Sequence, residues 1–249
     1  MLRHVAAATL SLSFAIGAAH AADGIPAHVS TAVAEPTRPE ADTTRDADRK
    51  PADVIAFSGL KPGDKIADLN PGGGYYTRIF AKVVGTQGKV YGLVPKSSLE
   101  RRPESGDAVK GIAATNSNVM FHPVTLTAIE TPEPLDMVWT SNNYHDFKNR
   151  DEGTTDAMNK SIFNALKPGG IYIVTDHAAE AGSGGRDTNT LHRVDAGLVK
   201  QEALAAGFVL DGESNILSNS NDDRKGKVFE ADMRGHTDRF VLRFKKPAQ

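Results

Sequence analysis

The chain has 249 residues, with 29 Lys and Arg against 31 Asp and Glu, a formal charge of −2, and no cysteine. With no basic excess and no Lys/Arg-rich block, it lacks the electrostatic footprint of a nucleic-acid binder. Its stability must come from a hydrophobic core rather than disulfides, which a chain of this size can supply; the length suits one α/β domain behind a leader segment.

Residues 1–21 read as a cleavable targeting segment. Arg3 supplies the positive start, residues 5–19 an apolar stretch too short for a comfortable membrane span, and Ala19-His20-Ala21 the small-x-small cleavage pattern. The expected mature protein begins at Ala22, is periplasmic or secreted, and is not membrane-bound once cleaved. Losing Arg3 and no acid leaves 28 basic against 31 acidic residues, a charge of −3. Residues 22–48 are rich in Ala, Thr, Pro and charge and read as a linker or N-terminal arm; residues 49–249 form the domain.

In that domain, residues 49–59 predict a helix with Pro51 in its first turn and Gly59 at its end. Residues 65–69 form a short apolar run, a parallel strand by pattern. Asn70-Pro71-Gly72-Gly73-Gly74 breaks it, and residues 75–84 place Ile79, Phe80 and Val83 on one helical face. Strand, glycine turn and helix open a βαβ unit, in which glycines let backbone approach a ligand. Further strands are expected at 88–94, 119–124, 135–140, 171–175, 208–217 and 238–244. Helices are expected at 105–115, 153–166 and from about 196 to 206, the last with Val199, Ala203 and Leu204 on its apolar side.

The string D-x-x-P-G-G-G-Y-x-T beginning at Asp68 resembles the first motif of class I S-adenosylmethionine-dependent methyltransferases. Leu166-Lys167-Pro168-Gly169-Gly170 resembles the turn before their fifth strand. The resemblance spans residues 61–246 and looks closest to exported bacterial proteins described as predicted methyltransferases. It implies a seven-stranded, mostly parallel Rossmann-like sheet with helices on both faces and an antiparallel last strand. It also implies S-adenosylmethionine as cofactor, with contacts carried onto Asp68, Asn70, Gly72, Gly73, Gly74, Tyr75 and Asn142. Two positions depart from the pattern. Val94 and Pro95 stand where the family places the acid that holds the ribose, Glu100 being a more distant substitute. Asn70 replaces the first glycine, a residue that tolerates positive φ.

The richest polar text follows the fourth strand, Ser141-Asn142-Asn143-Tyr144-His145-Asp146, at the edge of the sheet where α/β proteins bind ligands. Tyr144, His145 and Asp146 read as an acceptor-facing set with His145 as a base oriented by a carboxylate. Asp176, His177, His192 and Arg193 form a supporting shell, Arg193 either holding a carboxylate or pairing with Asp187 or Asp195. Residues 181–187 suggest a lid, and 219–236 a connection long enough to be functional. The resulting expectation is methyl transfer to a small molecule. The alternatives are a metal-dependent hydrolase, since His145, Asp146, Asp176, His177 and His192 can reach one cleft, or a non-catalytic binding protein. No short ligand spacing such as H-E-x-x-H occurs, so the sequence assigns no metal. The oligomeric state is left open. A serine hydrolase is excluded by the lack of a G-x-S-x-G elbow, and a P-loop by the lack of G-K-[ST].

Overall fold

The computed structural model describes residues 24–150 and 155–248. The targeting segment expected at 1–21 lies outside the described residues. In chain order the elements are α1 (Ala27–Val33), α2 (Glu40–Thr43), α3 (Asp46–Arg49), α4 (Pro51–Ser58), β1 (Lys65–Leu69), α5 (Tyr75–Val84), β2 (Lys89–Pro95) and α6 (Lys96–Arg101). A 3₁₀ turn at Pro103–Gly106 leads into α7 (Asp107–Thr115), followed by β3 (Val119–Val124), β4 (Leu135–Ser141), α8 (Tyr144–Phe147), α9 (Thr155–Ala165), β5 (Leu166–His177), α10 (Ala196–Ala205), β6 (Val209–Ser214) and β7 (Arg239–Lys245).

The seven strands form one sheet in the order β3-β2-β1-β4-β5-β7-β6. β1 to β5 pair in parallel, while β7 runs antiparallel to both β5 and β6. The order reverses between β1 and β4, which opens a crevice at their carboxyl ends. Consecutive strand residues point to opposite faces, so each central strand feeds two cores. On β4, Val138 enters the core under α9 and α10, and Met137 and Trp139 enter the core under α1, α4, α5 and α7. On β5, Tyr172 and Val174 take the first side and Ile173 the second.

Boundaries differ from the sequence reading where long-range pairing decides them. β5 begins at Leu166 because Leu135 pairs with Leu166 and Met137 with Ile171, so the L-K-P-G-G text bulges between two paired positions. Leu204 is 48% exposed, so the buried side of α10 is carried by Val199 and Ala203 without it. Residues 24–48 pack as an arm on the domain: Val29 and Ala32 are buried in the core beneath α4 and α5. Among the described residues no helix is long and apolar enough to cross a membrane.

Trp139, the chain's single tryptophan, is fully buried, with ring centroids 4.9 Å from Tyr76 and 5.1 Å from Phe80. Its emission should be blue-shifted in the native protein and move red in step with circular dichroism on urea unfolding. Phe80→Ala should lower the unfolding free energy by about 3–5 kcal/mol.

Candidate functional site

The carboxyl ends of β1 and β4 are tied together by two asparagines. Asn70 has φ of 56°, in the left-handed region, so the departure from glycine is accommodated by a residue suited to it. Its Nδ2 donates to Asn143 Oδ1 at 3.0 Å, and Asn143 Nδ2 donates back to the Asn70 carbonyl at 3.1 Å. Gly72 and Gly74 also have positive φ. A Cβ on Gly72 or Gly73 would meet nothing within 4 Å, whereas one on Gly74 would lie 2.3 Å from Ile112 Cδ1. The first two glycines therefore leave room in the cleft, and the third lets α5 pack against α7.

The cleft at this switch point has a volume of about 210 Å³ and is lined by Asp68, Asn70, Gly72, Gly73, Tyr75 and Asn142, with Arg45 and Arg49 of the arm closing it. Gly74 does not line it. Larger grooves of about 530 Å³ beside α5 and α7, about 510 Å³ beside β6 and β7 and about 390 Å³ beside β3 lack the glycine loop and the β4 asparagines.

The arm is bound to this cleft through two carboxylates. Asp46 accepts from Arg38 at 2.7 Å and from the Tyr75 hydroxyl at 2.6 Å. Asp42 accepts from Arg45 and from Arg78 of α5, both at 2.7 Å. Arg49 stacks over the Tyr75 ring, 4.6 Å from its centroid, with no carboxylate partner among the described residues. Asn142, at φ of 55°, has its buried Oδ1 without a hydrogen-bond partner among the described residues. A guanidinium, an unfilled acceptor and open space over two glycines suit a zwitterionic amino-acid group. Sequence reading gave no role to Arg45 and Arg49, because nothing local marks the arm as part of the cleft; Asn143 stood in the polar text after β4 with no role of its own.

Burial pushes the Asp68 carboxyl up to about 7, against hydrogen bonds from Thr77 and the charge of Arg49. At the end of β2 the structure places buried Val94 and Pro95, and Glu100 lies on the exposed side of α6. No carboxylate lines the cleft from β2.

The polar edge at β4 and β5 separates into groups with different partners. Asp176 is fully buried and accepts from the amide of His145 at 2.9 Å, from His145 Nδ1 at 2.8 Å and from the amide of His177 at 2.7 Å. The carboxylate that orients His145 is thus Asp176; Asp146 lies 3.4 Å from the other ring nitrogen, Nε2. Burial alone would lower the His145 imidazole, but the charge and hydrogen bond of Asp176, with Asp146 behind it, hold it above its ordinary value. Desolvation pushes His177 down to about 3, so it is a neutral ring, in hydrogen-bond contact with Thr237. His192 brings Nδ1 to 3.6 Å from Asp146.

Tyr144 and Arg193 correct the acceptor-side reading, because neither has any exposed surface. The Tyr144 hydroxyl turns inward, donating to Glu202 at 2.7 Å and accepting from Asn159 at 2.7 Å. Arg193 makes a bidentate pair with Asp222, at 2.7 and 3.0 Å, and not with Asp187 or Asp195. Asp187 pairs with Arg186, and Asp195 caps α10 while accepting from the amides of Gly182 and Gly184. The 181–187 segment is therefore fastened to the start of α10 rather than free as a lid.

No protein-family model matches the chain. A protein-L-isoaspartate O-methyltransferase of Methanococcus aeolicus is 27% identical over 150 residues, 60% of this chain and 61% of its own length. A ubiquinone/menaquinone biosynthesis C-methyltransferase UbiE of Hydrogenovibrio crunogenus is 30% identical over 124 residues, 49% of this chain and 46% of its own. The chain thus spans about half to three-fifths of the curated relatives it matches. Among solved structures, a SAM dependent methyltransferase from Aquifex aeolicus superposes with a TM-score of 0.59 at 17% identity, covering 83% of this chain and 95% of that one. The N-methyltransferase NodS of Bradyrhizobium japonicum gives 0.56 at 11% identity, over 83% and 98%. The 4+2 cyclase SpnF gives 0.61 at 19% identity, over 82% of each. These structures share the Rossmann-like methyltransferase fold with this chain.

Breaking the Arg193–Asp222 pair leaves a buried guanidinium without its counter-charge. Asp222→Ala should cost about 3–5 kcal/mol in urea unfolding. Glu180→Ala, which removes an exposed partner of Arg186, should change stability by less than about 1 kcal/mol.

Proposed function

We propose that the protein is an S-adenosylmethionine-dependent methyltransferase acting on a small molecule. The cofactor's amino-acid part would lie in the glycine-loop cleft, and the acceptor would enter at the β4–β5 edge. The observation that carries this reading is the set of unmet groups in one cleft: Arg49 without a carboxylate, Asn142 Oδ1 without a donor, and open space over Gly72 and Gly73. The matched relatives and structural neighbours support it.

When bound, the cofactor supplies an electrophilic methyl group on a sulfonium, and catalysis is then largely alignment. Arg49 would hold the methionine carboxylate and Asp68 the ammonium, with the Asn70–Asn143 clamp fixing the distance between loop and acceptor edge. His145 presents Nε2 on the acceptor side because Asp176 holds Nδ1. Without a carboxylate at the end of β2, more of the affinity must come from the amino-acid half.

A second reading, a ligand-binding protein without transfer activity or one with other chemistry on this fold, is favoured by one observation: Val94 and Pro95 in place of an acid. Calorimetric titration of S-adenosylhomocysteine into residues 22–249 distinguishes the two. Micromolar binding, about −8 kcal/mol, is expected; no heat from folded protein would leave only the second reading.

Arg49→Ala removes a charge-assisted contact of about 1.5–3 kcal/mol and should weaken that binding roughly 10- to 100-fold. Gly73→Ala should fold normally, since its Cβ meets nothing, yet bind at least tenfold more weakly if the ligand occupies that space, which is a change of about 1.4 kcal/mol. His145→Ala should leave homocysteine-nucleoside binding intact and abolish turnover; near-normal turnover would remove it from the reaction.

Asp68 gives the pH dependence its sign. A carboxyl raised from 3.8 to about 7 in the fold favours folding below about 4, and that contribution is lost as pH rises through about 7. An ammonium beside it favours the ionised form, so binding should release a proton below pH 7 and strengthen by up to about tenfold per pH unit from 5.5 towards 7. A flat profile over that range would take Asp68 out of the contact. Export is proposed alongside: protein made with residues 1–21 should be recovered at the mass of residues 22–249, and recovery at full mass would count against it.

A further inference from the structure

Three of the groups at the acceptor edge converge without bonding to one another. One possible ligand atom from each of His145, Asp146 and His192 lies within 4.8 Å of the other two; the contacts to Asp146 Oδ1 run from His145 Nε2 and His192 Nδ1. The two distances to Asp146 are 3.4 and 3.6 Å. We propose that His145, Asp146 and His192 form a binding site for one divalent transition-metal ion, with zinc the best match.

The spacing is the first support. Donors bound tetrahedrally at about 2.0–2.1 Å stand about 3.3–3.4 Å apart, the length of the tetrahedron's edge. The contacts to Asp146, at 3.4 and 3.6 Å, lie at and just above that edge, and they exceed ordinary hydrogen-bond lengths of about 2.7–3.2 Å.

The surroundings are the second. Metal-bound imidazoles characteristically donate their other nitrogen to a carboxylate, which fixes tautomer and ring orientation. Asp176, fully buried, takes that role for His145, binding its Nδ1 and its backbone amide at once. The lone pair on Nε2 is thereby directed outward. His192 is held at φ of 56°, a backbone region seldom occupied by residues other than glycine. Its Nδ1 is buried with no hydrogen-bond partner among the described residues, a cost that a bound ion would remove. Phe229, from the long connection between β6 and β7, meets that ring edge-on with centroids 4.8 Å apart while remaining 58% exposed itself.

The donor set is the third. Two imidazoles and one carboxylate suit zinc and neighbouring ions, and three protein ligands leave a fourth position for water or substrate. That position would take an oxygen or sulfur donor. On the methyl-transfer reading, on which this last step rests, an acceptor hydroxyl or thiol would bind there and lose its proton to solvent more easily. Sequence spacing conceals the site, because His145 and Asp146 are adjacent while His192 comes from the turn before α10.

The test uses protein purified without chelators or immobilised metal, assayed for zinc by elemental analysis and for affinity by competition with a chromophoric chelator. One zinc per chain is expected in the wild type, with cobalt substitution giving a four-coordinate visible spectrum. His192→Asn keeps a residue that accepts the same backbone conformation but removes the imidazole, and it should weaken zinc binding at least 100-fold. Asp176→Asn should weaken it about 10- to 100-fold through His145. Circular dichroism reports whether each variant is folded. Absence of stoichiometric zinc in the wild type, or equal affinity in His192→Asn, would overturn the site. S-adenosylhomocysteine titration of metal-free protein decides the cofactor reading separately, so either can fail alone.

Discussion

The polar edge of this molecule depends on a carboxylate that has been taken out of water. Asp176 has no exposed surface, and burying an ionised carboxylate costs several kcal/mol unless donors replace the lost hydration. Three do so: two backbone amides and the His145 ring. Burial alone would raise the Asp176 carboxyl, but the charge and hydrogen bond of the His145 ring, with the His145 backbone amide assisting, hold it below its ordinary range. Because His145 enters from the loop after β4 and Asp176 from the end of β5, this exchange makes two strand ends behave as one unit. The direction of His145 Nε2, towards Asp146, follows from that constraint.

A parallel arrangement operates on the other side of the crevice. Asp42 and Asp46 lie on an arm that precedes the domain in the chain, yet each binds one arginine of the arm and one residue of α5. These pairs neutralise Arg38 and Arg45 and leave Arg49 over the Tyr75 ring. The arm thus determines which positive charge faces the glycine loop. Both edges of the crevice are built by carboxylates spent on positioning, with the groups that meet a ligand placed one step beyond them.

Much of the fold was legible because it is encoded locally. The run at 65–69, the glycines after it and the helical spacing of Ile79, Phe80 and Val83 each need only a short window. So do the strand at 119–124 and the asparagine-rich loop after β4. What escaped was set by partners far along the chain. Tyr144 and His145 are neighbours in sequence, but a helical turn sends one towards Glu202 and the other towards Asp176. Arg193 found Asp222, inside a connection with no recognisable pattern, rather than the acids nearest to it. Val29 and Ala32 are isolated apolar residues in polar text, and only the exposed flank of α4 and α5 gives them a place to go. Leu204 shows the reverse case, an apolar residue at helical spacing with nothing to cover it.

The position of β7 has a consequence for how the molecule comes to be made. It lies between β5 and β6, hydrogen-bonded to both, and Lys246 extends the ladder by exchanging backbone bonds with Gly169 and Gly170. Until Arg239–Lys245 has been synthesised, β5 shows an open edge and β6 has no partner, so a nascent chain carries two unpaired strands of the kind that seed aggregation. The sheet cannot close before that strand is present, and Asp222, Thr237 and Asp238, which bond Arg193, His177 and the Ala178 amide, all lie just before it in the chain. A chaperone that shields extended segments would find its binding sites here during synthesis and lose them once β7 docks.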